Sequence, residues 1–248
     1  MHEAPTPLLE ARGVGVSFSG LRAVADLSLS VAEREIVGLI GPNGAGKTTL
    51  FGLLSGFIRP DRGSIWLDGT RIDGAAPETI CRRGLTRTFQ IAELFPSLTV
   101  REVLTTAALS EAGLRRARNF AEHVGEQVGL AAKVDVLCSA LTLPDQKALE
   151  VGKALATRPR LILLDEVMAG LRPAECQSMA DRVLALRASG LTFVVTEHNM
   201  AAIMALSDRL VVMAAGQKIA EGPPGTTARD PEVIRSYMGV LTADAAHP

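Results

Sequence analysis

The chain has 248 residues, 47% of them hydrophobic and 21% charged, with 26 basic against 27 acidic side chains and a formal net charge of -1. That length fits one large domain or two small ones, the apolar fraction excludes a disordered chain, and the charge balance lacks the basic excess with which proteins grip nucleic acid. Mean hydropathy is +0.22, yet no run reaches the roughly 18 apolar residues of a spanning helix. The start, Met1-His2-Glu3-Ala4-Pro5, has no cationic segment leading into an apolar one, so a cytosolic chain is expected. Cys81, Cys138 and Cys176 are too scattered for a disulfide framework or a zinc knuckle.

In chain order, residues 8–16 and 27–31 read as strands, and the apolar run 36–40 reads as a buried strand entering a glycine-rich turn. A helix is expected over 47–57, then a strand over 63–69 closed by Asp68-Gly69. From about 77 to 140 the pattern is helical, rich in Ala, Leu, Glu and Arg, as for a helical insertion. A helix over 143–156, a strand over 161–164, a helix over 173–187 and a strand over 191–196 then alternate, which predicts a parallel sheet. Short strands over 210–213 and 217–220 precede a tail with Pro223-Pro224 and a short helix after Pro231. There is no internal repeat and no clear linker.

The turn is Gly41-Pro42-Asn43-Gly44-Ala45-Gly46-Lys47-Thr48, followed by Thr49. It fits the phosphate-loop pattern G-x-x-x-x-G-K-[ST] between a buried strand and a helix. Glycines let successive N–H groups face one anion, and the helix N-terminus adds partial positive charge. Lys47 then reaches the β- and γ-phosphates, and Thr48 offers an oxygen to Mg²⁺. A second carboxylate is needed for the metal, and Leu161-Ile162-Leu163-Leu164-Asp165-Glu166 supplies one at the end of a buried strand. Asp165 would orient Mg²⁺ or its water, and Glu166 would polarise the attacking water. The fold class is therefore α/β, with a P-loop NTPase core of parallel sheet flanked by helices.

These pieces, with others in order along the chain, resemble the ATP-binding subunits of ATP-binding cassette (ABC) transporters, from about Leu9 to Gly239. Phe18 stands where that family places an aromatic that stacks on adenine. Gln90, within Arg87-Thr88-Phe89-Gln90, matches the glutamine that senses metal and γ-phosphate and couples to the membrane subunit. Ala169-Gly170-Leu171-Arg172-Pro173 resembles the loop that faces the opposite nucleotide site, and His198, in Thr196-Glu197-His198, matches the histidine that contacts γ-phosphate. Within the family, Gly84-Leu85-Thr86-Arg87-Thr88-Phe89-Gln90, Leu94-Phe95-Pro96-Ser97-Leu98-Thr99-Val100, Thr196-Glu197-His198-Asn199-Met200 and the tail Ile219-Ala220-Glu221-Gly222-Pro223 look like the branched-chain amino acid importer group.

The resemblance implies a single ABC ATPase domain over 1–248, with an N-terminal antiparallel β subdomain, a helical subdomain within about 86–156 and a C-terminal tail from about 222. It implies ATP and Mg²⁺ as ligands. It also implies transmembrane permease subunits, a second ATPase cassette in a hetero- or homodimer and, indirectly, an extracytoplasmic solute-binding protein as partners. The expected location is peripheral, on the cytoplasmic face of the cell (inner) membrane, with no nucleic acid bound.

One segment departs from the family. Where the family has Leu-Ser-Gly-Gly-Gln, this chain has Leu141-Thr142-Leu143-Pro144-Asp145, followed by Gln146. Pro144 has no N–H to give a phosphate, and Thr142-x-x-Asp145 is a capping-box pattern in which the helix end is satisfied by its own side chains. Two readings follow: an ATPase impaired at one composite site, or a nucleotide-binding regulatory cassette with little turnover.

Overall fold

The computed structural model describes residues 6–89, 95–109 and 113–244. Ten strands and nine α-helices are formed among them, in two sheets and a helical layer. The strands are β1 (Leu9–Phe18), β2 (Leu21–Val31), β3 (Ile36–Ile40), β4 (Arg62–Leu67), β5 (Thr70–Arg71), β6 (Leu85–Arg87), β7 (Leu161–Asp165), β8 (Thr192–Thr196), β9 (Arg209–Ala214) and β10 (Gln217–Gly222). The helices are α1 (Lys47–Leu54), α2 (Pro77–Arg82), α3 (Val100–Ala108), α4 (Leu114–Gln127), α5 (Leu143–Ala156), α6 (Pro173–Ala188), α7 (Met200–Leu206), α8 (Pro224–Thr227) and α9 (Pro231–Asp244).

A four-stranded antiparallel sheet runs β2-β1-β4-β5, and a six-stranded sheet runs β10-β9-β3-β8-β7-β6. In the second sheet β9, β3, β8, β7 and β6 are parallel and β10 pairs antiparallel with β9. The apolar runs of the sequence follow from burial on both faces. In β7, Leu161 and Leu163 face the layer shared with β1, β2 and α1, whereas Ile162 and Leu164 face the layer shared with α3, α4 and α5. β8 divides in the same way, with Val194 on the first side and Phe193 and Val195 on the second. The carboxyl ends of β3, β7 and β8 therefore lie side by side, with Asp165 registered against Thr196. Ligands of open parallel sheets bind at such ends.

Three expectations are corrected. The segment from 77 to 140 is not continuously helical: Leu85–Arg87 is strand β6, paired parallel with Leu161 to Leu163, and three residues are too few for a period to register in the sequence. α1 stops at Leu54, because the Ser55 hydroxyl turns back to the Phe51 carbonyl at 2.6 Å and Gly56 takes a φ of 79°. α7 and α8 were not anticipated; α7 starts where the Asn199 side chain accepts the Ala202 N–H at 3.1 Å. α5 occupies the span expected for it.

Candidate active site

The loop from 41 to 46 leaves β3 and starts α1 at Lys47, and it is fastened from below. The Ala45 N–H bonds to the Pro42 carbonyl at 3.1 Å, and the Gly216 N–H, from the β9–β10 turn, bonds to the Ala45 carbonyl at 3.0 Å. Gly46 caps α1 in a left-handed conformation, φ 101°, where a Cβ would sit 2.4 Å from the Ala23 carbonyl oxygen. Gly44, φ 76°, has no atom within 4 Å of where its Cβ would be, so the loop's outer side is open to a ligand. Sequence reasoning did not find Tyr237: this residue of α9 hydrogen-bonds the Gly41 backbone, and burial pushes its phenol up.

Above the loop lies a cleft of about 610 Å³, walled by Leu21 to Ala23 of β2, Asn43 to Thr49, Glu166, His198 and Ala215. Lys47 Nζ donates to the carbonyls of Gly41 at 2.6 Å and Pro42 at 3.1 Å. Burial lowers its pKa, against the charges of Glu166 and Asp165 that raise it. Phe18 is half exposed and does not line the cleft, where Leu21, Arg22 and Ala23 stand instead. Gln90 lies outside the described residues.

The two carboxylates of the β7 end are held differently. Asp165 is buried, with Oδ1 accepting the Thr196 hydroxyl at 2.8 Å and Oδ2 accepting Arg87 at 2.7 Å. Its N–H donates to the Thr88 hydroxyl at 2.9 Å. The Arg87 guanidinium lies 5.6 Å from the Phe51 ring and 5.4 Å from the Phe89 ring, favourable for a cation over aromatic faces. Arg87 and Thr88 stood inside a motif quoted for its glutamine, and no pattern marked them as Asp165's partners. Glu166 takes a φ of 52° and accepts His198 Nε2 on Oε1 at 2.8 Å. Thr48 is exposed at the cleft floor. Thr48 lines the cleft and Asp165 does not, and both Asp165 oxygens are taken, by Thr196 and Arg87, so Asp165 would have to release one of them before it could hold Mg²⁺.

Residues 142 to 145 do not line this cleft. They form the start of α5 as a capping box, with Thr142 as N-cap and Pro144 in the first turn. Asp145 Oδ2 accepts the Thr142 N–H at 3.3 Å and Lys133 Nζ at 2.6 Å. Burial raises the Asp145 pKa, but Lys133 and Thr142 outweigh it and hold the carboxyl below its usual range.

The family described as ABC transporter matches residues 24–169. The chain belongs to that family. It is 38% identical over 250 residues to the high-affinity branched-chain amino acid transport ATP-binding protein BraF of Pseudomonas aeruginosa, covering 94% of this chain and 98% of that protein. It is 37% identical to the corresponding protein LivG of Escherichia coli K12, with the same coverage. A solved ATP-binding cassette of an ABC transporter in its ADP conformation superposes with a TM-score of 0.85 at 29% identity, over 94% of this chain and 99% of that one. The chain is thus an ABC transporter cassette that binds and hydrolyses ATP. Among the described residues no helix is long and apolar enough to cross a membrane.

Proposed function

We propose that this cassette energises an importer of branched-chain or related amino acids or amides, bound peripherally at the cytoplasmic face of the inner membrane. Its permease subunits and a second cassette would be direct partners, and an extracytoplasmic solute-binding protein an indirect one. The cargo reading is supported by the similarity to BraF and LivG over nearly the whole chain.

The chemical reading is carried by one observation: His198 Nε2 stands 2.8 Å from Glu166 Oε1 in the cleft floored by Lys47 and Thr48. Residues 41 to 49 hold the polyphosphate through backbone N–H groups and the Lys47 ammonium. Thr48 and Asp165, with Gln90, would hold Mg²⁺, which when bound neutralises charge on the β- and γ-phosphate oxygens. Glu166 accepts the proton of the attacking water, and His198 fixes the pose of its carboxylate and orients the γ-phosphate. Phe18 would reach adenine from the strand end beside the cleft.

Residues 141 to 146 would face the partner's phosphate loop. Pro144 offers it no N–H, and Asp145 places a carboxylate where an anion would bind, so beside a different partner cassette the composite site completed by this segment would be the weaker of the two, and in a homodimer both sites would be impaired. The site holding this chain's Lys47, Glu166 and His198 is completed by the partner's segment.

The test is uptake of labelled branched-chain amino acids and amides into vesicles holding the permease, this chain and its partner cassette, with ATP inside and the solute-binding protein outside. Glu166→Gln lowers hydrolysis and uptake by at least about 10²-fold while ATP still binds, in line with loss of a general base. Uptake that persists in Glu166→Gln overturns its role, and an assembly that hydrolyses ATP but transports no amino acid or amide overturns the cargo.

A further inference from the structure

Besides Asp165, three charged side chains among the described residues are buried away from the cleft lining: Lys147, Glu150 and Glu197, at 8%, 4% and 5% exposure. Glu150 is paired with Lys153. The other two reach the same turn. Glu197, which follows β8 and precedes His198, accepts the Met168 N–H on Oε1 at 2.7 Å. Lys147 Nζ, from α5, reaches the Glu166 carbonyl at 3.3 Å. The Glu166 N–H is bonded to the Thr196 carbonyl at 3.0 Å.

Glu166 sits between these ties with a φ of 52°, a conformation that disfavours side chains other than glycine and persists only when its surroundings impose it. Relaxation toward a negative φ would swing the carboxylate away from His198. The strain is therefore held by β8 on one side, by Glu197 through Met168 on another, and by α5 through Lys147.

We propose that Glu197 and Lys147 are positioning residues for hydrolysis, a buried brace that holds the 166–168 turn so that the Glu166 carboxylate stays against His198. The proposal rests on Glu166 being the general base. Lys147 lies five residues after Thr142 on the same helix, so the brace also ties the start of α5 to the carbonyl of Glu166. A shift of that helix end, when the partner's nucleotide engages or leaves it, is transmitted to the base of this chain's own site. What Glu197 contributes is an acceptor, since the Met168 N–H is buried and needs one. The Gln side chain keeps an oxygen there, and Arg at 147 keeps a donor.

The experiment is steady-state ATP hydrolysis by the full assembly of permease and two cassettes, with ADP affinity measured on the same preparations. Glu197→Ala and Lys147→Met lower kcat about tenfold or more, as displacement of a reacting group by a fraction of an ångström does, while KM and ADP affinity change less than threefold. Glu197→Gln and Lys147→Arg recover most of the rate. If Glu197→Ala does not assemble, Lys147→Met and the Glu197→Gln rescue decide alone. Wild-type kcat in Lys147→Met, or a Glu197→Gln as slow as a charge-removing loss would make it, overturns the brace. A Glu166→Gln assembly that is inactive beside an unaffected Lys147→Met overturns the brace but leaves the base; an active Glu166→Gln overturns the base itself.

Discussion

Glu197 gives the protein a stability that depends on pH in an unusual direction. The side chain is 5% exposed. Burial, chiefly, pushes its pKa from 4.5 up to about 7. The Met168 N–H and Lys147 pull it down, and the charge of Glu166 pushes it further up. Burial, chiefly, raises the Cys176 thiol of α6, and the charges of Glu197 and Glu175 raise it further. Between the two pKa values the folded chain keeps a proton that the unfolded chain releases, so stability falls as pH rises through this window. Integrating the proton difference between pH 5 and pH 8 gives a loss of about 2–3 kcal/mol from this group alone. Glu197→Gln has the same shape, keeps an acceptor for Met168 and does not titrate. Urea unfolding of both proteins at pH 5, 6, 7 and 8 should show the stability difference, variant minus wild type, growing by about 2–3 kcal/mol toward alkaline pH. A difference independent of pH would refute the shift. A variant that loses stability against wild type as pH rises would show that Lys147 makes the ionised form the favoured one.

Two further perturbations probe the carboxylates at the ends of β7 and α5. Asp145→Ala removes the capping box and the Lys133 pair, and should cost about 1 kcal/mol, seen as a Tm lower by about 2–4 °C for a chain of this size; an unchanged Tm would mean the cap does not stabilise the fold. Arg87→Met strands the Asp165 carboxylate, whose side chain is 4% exposed, and should cost about 3–5 kcal/mol in urea unfolding. Asp165→Asn in the same chain should restore most of that loss, and a single variant losing under about 1 kcal/mol would refute the account of the pair.

The sequence showed most where one physical rule acts over many residues. Five consecutive apolar residues in 36–40 require a strand covered on both faces, and β3 is that strand, entirely buried. The spacing from Gly41 to Thr48 requires a glycine turn between a buried strand and a helix, and the chain makes it with Gly41, Gly44 and Gly46 at positive φ. The capping box at Thr142 was legible because both partners lie within four residues. What stayed hidden depends on pairing across the fold. β6 is three residues long and exists because β7 offers it an edge. Asp165 was read as a metal carboxylate, but its lock on Arg87 spans 78 positions in the chain, and its hold by Thr196 needs the register of β7 with β8. Glu197 and Lys147 were visible only as ordinary polar residues beside a histidine and a glutamine, because burial is a property of the fold.

The two halves of the nucleotide chemistry are thus built to different standards in one chain. At the cleft, groups that a phosphate needs are left open: Gly44 faces open space, Thr48 is exposed, and His198 waits on Glu166 at the rim. At the start of α5 the same kinds of group are closed on themselves, since Asp145 takes the Thr142 N–H and the Lys133 ammonium that an anion would otherwise attract. A helix N-terminus attracts anions because its first N–H groups lack partners. Here a carboxylate already meets that need and Pro144 removes one donor altogether. The cap forms within this chain alone, so on the proposed arrangement it would compete with the contact to the partner's phosphate. Lys147 carries the other consequence: the helix whose first turn is closed on its own side chains is tied to the Glu166 carbonyl, so on the proposed reading it would support the chain's own site even where it served the partner's poorly.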